Sequence, residues 1–161
     1  MKSDGGLTDY LVKHSANNGF SFTAITNRLN DAFHIATICS DGDPSRRICF
    51  VGDVDEIEYT TFRSWIKLIP IDTYKDCEKR DIVIIDTTEL ETSSPSRSPL
   101  TRLIDTIIVC QRHHEQIIIL NIHYRSTASE LTKLRADAVL LYDRGMKAMF
   151  NTEPIDNFEW V

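Results

Sequence analysis

Apolar positions along the chain fall into short solid runs separated by polar stretches, and the runs alternate with segments of helical spacing. "RICFVGD" (47–53), "DIVIID" (81–86), "QIIILNI" (116–122) and "AVLLYD" (138–143) are continuous runs, as expected of strands covered on both faces. Between them, Ile57, Phe62, Trp65, Ile66 and Ile69 fit one helical face, and so do Leu100, Leu103, Ile104, Ile107 and Ile108. Pro99 suits the first turn of the second helix and Ser98 its cap. "STASELTKLRA" (126–136) reads as a short amphipathic helix, and "GMKAMF" (145–150) as the second arm of a hairpin. Near the start, "LTDYLVKH" (7–14) reads as a short helix, and "TAITNRLNDAF" (23–33) as a second helix or a strand and turn. "FHIATICS" (33–40) is rich in residues that favour extended structure and is expected to be a strand. Strand and helix in alternation imply an α/β fold with a mostly parallel sheet flanked by helices.

Composition changes this picture little. With 161 residues, 42% of them hydrophobic and 26% charged, the chain can bury one core. A formal charge of -6 gives the surface as a whole no attraction for nucleic acid, so DNA contact requires a local basic patch. Cys39, Cys49, Cys77 and Cys110 form no Cys-x-x-Cys pair and are expected to be reduced. The N-terminus lacks a signal-peptide core and no run reaches membrane-spanning length, so a nuclear or cytosolic protein without membrane attachment is expected.

Candidate chemistry centres on Asp86, the carboxylate that ends "DIVIID". In nucleotide hydrolases such an acid holds a magnesium ion, provided a glycine-rich, lysine-bearing loop cradles the phosphates. After "ICFVG" there is Gly52, but then Asp53, Asp55, Glu56 and Glu58 and no lysine. Four carboxylates beside a triphosphate repel it, so neither catalysis nor a nucleotide, metal or other cofactor is expected. "RHHE" (112–115) puts adjacent histidines about 100° apart on a helix, which is not a metal-binding pair.

The order "DIVIIDTTEL", polar loop, helix, "IIILNIHYRS", short helix, "LRADAVLLYDRG" resembles the distal half of a RecA-type core over residues 47 to 150. On that resemblance Asp86 takes the Walker B position, Asn121 the sensor position, and "HYRSTAS" the DNA-facing loop. With no Walker A loop, the chain is similar to divergent recombinase paralogs such as Shu-complex subunits and the nematode Walker-B-only paralog partner. The resemblance implies a shortened, degenerate RecA-like (P-loop NTPase-type) core over residues 32–150, after a polar segment 1–31 and before an acidic tail 151–161. It also implies a non-catalytic function in homologous recombination and DNA repair: heterodimerisation with another RecA-type paralog, and assembly or remodelling of recombinase filaments on single-stranded DNA.

The partner interface is expected along Ile82, Val83, Ile84, Ile85 and Asp86. Phe33 and Ala36 match a Phe-x-x-Ala recombinase-docking motif, which adds as a strand to a neighbour's sheet, and the same tetrapeptide fits an ordinary internal strand. Arg125, Lys133 and Arg135 are candidate DNA contacts. The alternative is a pseudo-receiver signalling domain with Asp43 and Asp86 as its acidic cluster.

Overall fold

A computed structural model describes residues 5–51, 68–71, 77–86, 114–122, 136–142, 146–150, 153–155 and 160. Helix α1 (Gly5–His14) precedes β1 (Phe22–Thr26) and α2 (Leu29–Gly42). The remaining strands are β2 (Ile48–Val51), β3 (Leu68–Ile71), β4 (Ile82–Asp86), β5 (Ile117–Asn121), β6 (Ala138–Tyr142), β7 (Met146–Phe150) and β8 (Glu153–Ile155). They form one sheet in the order β3-β2-β4-β5-β1-β6-β7-β8. Pairing from β3 across to β6 is parallel, and β7 and β8 add antiparallel. The α/β, mostly parallel sheet is the architecture expected from the alternating runs. Four of those runs become β2, β4, β5 and β6, and β7 is the expected hairpin arm.

Every residue of β1, β4 and β5 is buried, because both faces of the sheet are covered. Alternation sorts the side chains. Phe22, Ala24, Phe50, Ile82, Ile84 and Ile119 join the core beneath α1 and α2, while Ile25, Val83, Ile85, Ile118 and Leu120 form a second core on the opposite face. Phe33 of α2 stacks on Phe50 of β2, with ring centroids 6.3 Å apart. The two helices approach so closely that a Cβ on Gly42 would meet the Val12 carbonyl oxygen at 2.8 Å.

Three expectations are corrected. "FHIATICS" lies within α2 and is helical: over the longer window from Leu29, the buried positions Ala32, Phe33, Ile35, Ala36 and Cys39 recur at helical spacing, and packing on the sheet overrides local β preference. Thr37, β-branched and mid-helix, satisfies its hydroxyl by donating to the Phe33 carbonyl at 2.8 Å. "LIPI" is not the end of a helix but β3, an edge strand where the missing N–H of Pro70 is tolerated. The segment 1–31 is no separate polar lead. It supplies Leu7 and Leu11 to the core and β1 to the middle of the sheet. At the other end β8 extends the sheet, and Trp160 donates to Asp31 at 2.9 Å and stacks on His34. The helices expected over 98–114 and 126–136 lie outside the described residues, apart from His114, which is helical, and Ala136.

The amino edge of the sheet is held by ions. Arg46 is buried and donates to the carbonyls of Ser15 (2.8 Å), Arg80 (2.9 Å), Glu115 (2.9 Å) and Phe20 (3.4 Å). Arg80 bonds Asp43 at 2.7 Å, and Lys79 pairs with Glu115 at 2.8 Å. Burial pushes the Asp43 carboxyl up, but hydrogen bonds from Ser45 and Arg80 outweigh it and hold the group below its ordinary range. Lys79, and after it the Gly19 N–H, hold Glu115 low as well. Both groups therefore bind protons more tightly in the unfolded chain, so the stability they add is complete above the ordinary carboxylate pKa of about 4 and is lost as pH falls through the folded values. Urea midpoints are expected to be flat from neutral pH to about 5 and to fall below about 4, with a shallower fall in Asp43→Asn. An identical acid slope in that variant would remove Asp43 from this account.

Candidate functional site

In a parallel sheet of this kind, ligands sit beyond the carboxyl ends of the strands, where neighbouring connections leave in opposite directions. The chain from β1 runs through α2 to β2 on one side, and β6 lies on the other. The carboxyl ends at this position carry a row of polar residues in register, Thr26 of β1, Asn121 of β5 and Asp86 of β4. All three are buried, and Thr26 donates its hydroxyl to Asn121 Oδ1 at 2.9 Å. By strand alternation they share the face of Phe22, Ile84 and Ile119, which is the face that carries α2.

The connection from β1 to α2 leaves from this row. It consists of Asn27 and Arg28 alone, with neither glycine nor lysine. Asn27 clamps the backbone of Tyr142 at the end of β6, donating to its carbonyl at 2.7 Å and accepting from its N–H at 2.8 Å. The Arg28 guanidinium lies over the exposed Tyr142 ring, 4.6 Å from its centroid. The N–H groups of Asp31 and Ala32 in the first turn of α2 both bond the Arg28 carbonyl, at 3.0 and 3.2 Å. The buried Asp31 carboxylate also sits in that turn, where a helix favours negative charge, and its Oδ2 has no hydrogen-bond partner among the described residues. A phosphate cradle is built from a glycine-rich, lysine-bearing loop that allows close backbone approach, whereas this two-residue turn is bonded to Tyr142.

The structure redistributes the candidate residues. Asp86 and Asn121 stand side by side on adjacent strands. Ile82, Val83 and Ile84 are fully buried and Ile85 nearly so, which corrects the expected partner interface: β4 lies between β2 and β5, and its apolar side chains are spent on the two cores. Phe33 and Ala36 are fully buried on α2, so the Phe-x-x-Ala tetrapeptide is neither extended nor at a sheet edge, as strand addition requires. Arg125, Lys133 and Arg135 lie outside the described residues, as do Asp53, Asp55, Glu56 and Glu58. Asp43 binds Arg80 at the amino edge while Asp86 ends β4 at the carboxyl edge, so they form no joint acidic cluster. A receiver-type sheet has the order 2-1-3-4-5, whereas here β1 lies between β5 and β6.

Nothing in the sequence marks Thr26, Asn27, Arg28 or Asp31 as site residues, and nothing gives Tyr142 a role beside them. The available signal was "FTAITNR", a short β-branched run followed by an Asn and the start of a helical period. No protein-family model, curated protein or solved structure matches this chain.

Proposed function

We propose that this chain is a non-catalytic RecA-type recombinase paralog. It pairs with another RecA-type chain and promotes assembly or remodelling of recombinase filaments on single-stranded DNA during homologous recombination repair in the nucleus. Strand adjacency supports the RecA part of this reading. A Walker B acid and a sensor residue serve the same nucleotide, so they must be neighbours beside the strand that feeds the phosphate-binding helix. Asp86, Asn121 and Thr26, on β4, β5 and β1, meet that requirement.

The observation that carries the non-catalytic part is the Asn27–Arg28 turn locked onto Tyr142, in place of a phosphate cradle. A sheet that keeps this polar row but has closed its cradle retains value as a surface for assembly. The test has two arms. Titration calorimetry of the purified chain with magnesium ATP is expected to show no binding below millimolar concentration. Co-expression with RecA-type proteins of the same cell is expected to yield an equimolar complex that speeds recombinase loading on single-stranded DNA. Micromolar nucleotide binding by the chain alone, or failure to pair with any of those proteins, would overturn the proposal.

A further inference from the structure

A second cluster lies at the opposite, amino edge of the sheet and plays no part in the reading above. Cys49 is the second residue of β2, Asp81 immediately precedes β4, and Cys77 lies in the segment leading to it. Their sulfur and carboxylate oxygen atoms all lie within 4.8 Å of one another. Cys49 and Asp81 are buried, while Cys77 is half-buried and opens the cluster to solvent.

Asp81 is rigidly presented. Arg47 grips both carboxylate oxygens, Nε to Oδ1 at 3.0 Å and Nη2 to Oδ2 at 2.6 Å, and the Glu78 N–H donates to Oδ2 at 2.7 Å. Such outer partners orient a carboxylate ligand and fix its direction. The remaining approach to Oδ2 is taken by the Cys49 thiol at 3.4 Å, so a thiol proton occupies the place a shared cation would take.

We propose that Cys49, Cys77 and Asp81 form a binding site for a thiophilic divalent cation, zinc in the first instance. Two sulfur donors with one carboxylate oxygen suit zinc and exclude magnesium and calcium, which take oxygen alone. Charge balances. With protonated thiols, Asp81 and Arg47 sum to zero. When the cation binds, both thiols give their protons to solvent, and two thiolates, one carboxylate, Arg47 and the dication again sum to zero. Three protein ligands leave the fourth tetrahedral position to water on the open Cys77 side.

The full chain, reduced with a phosphine, is titrated with cobalt(II) and then with zinc. One equivalent of cobalt is expected to produce thiolate-to-cobalt charge-transfer absorption, which zinc abolishes. Loss of an outer partner alone weakens metal affinity about 10–100-fold, so loss of a ligand should cost about a hundredfold or more in Cys49→Ser and in Cys77→Ser. Circular dichroism checks that both near-isosteric variants fold. Cys39→Ala is expected to keep the absorption, because Cys39 is fully buried on α2 with its thiol pushed up to about 12 by burial. The proposal is overturned if the reduced chain gives no charge-transfer absorption, if the absorption survives both serine variants, or if the two cysteines only form a disulfide on oxidation and the dithiol ignores both metals.

Discussion

Arg46→Met is expected to destabilise the chain by about 3–5 kcal/mol, read as a lower urea midpoint at unchanged slope. The side chain is fully buried, and burial is the leading reason its pKa is lowered, followed by the nearby Arg80 charge. Its desolvation is offset by donors spread over four carbonyls from separate stretches of chain: Ser15 after α1, Phe20 before β1, Arg80 before β4 and Glu115 before β5. Methionine fills much of the volume but donates nothing, and each buried carbonyl left without a partner costs about 1–3 kcal/mol before relaxation. Arg46→Lys is expected to recover only part of the loss, because one ammonium cannot reproduce the planar fork that reaches carbonyls on several sides. Against a total stability of about 5–15 kcal/mol, the methionine variant would be marginally folded. Full recovery by lysine would show that charge, and not the fork, holds this edge.

Arg46 also shows what was legible in the sequence and what was not. The apolar runs at 48–51, 82–86, 117–121 and 138–142 announced strands because a strand buried on both faces has no polar side to display. Their lateral order was not legible, since nothing local to "DIVIID" records that "QIIILN" will pair beside it or that β1 will enter next. The sequence leaves β1 open as a helix or a strand, because "FTAIT" is short and runs directly into a helical window. Phe33 and Ala36 misled for a related reason: four residues match an extended motif and a helix face equally well, and only the sheet beneath α2 decides between them. Of the candidate site, Asp86 could be read because it ends an apolar run with a polar group, and Asn121 only from the resemblance that puts it at the sensor position. Asn27, Arg28 and Tyr142 could not, because their roles arise from a contact between residues 115 apart in the chain. Arg46 likewise looked like any arginine beside a turn, since its four acceptors are backbone atoms that carry no residue-type signal.

Ile84→Arg is expected to abolish cooperative folding, with loss of near-ultraviolet circular dichroism and no thermal transition. Ile84 is fully buried in the middle of β4, in register with Phe50 on one side and Ile119 on the other, on the sheet face that α2 covers. A guanidinium placed there has neighbouring strands on both flanks and a helix above, so its stem cannot carry the charge to water. An unpaired charge in such surroundings costs at least about 5 kcal/mol, comparable to the whole stability of many domains. Val12→Arg is the matched control: Val12 is 46% exposed on α1, and the same substitution there should change stability by no more than about 0.5 kcal/mol. The pair of variants separates two accounts of β4. If the strand is interior, Ile84→Arg loses the fold and any partner together, while Val12→Arg keeps both. If β4 instead presents its apolar side chains to a partner, Ile84→Arg keeps its melting temperature and loses only the partner, and the placement of β4 between β2 and β5 would have to be abandoned.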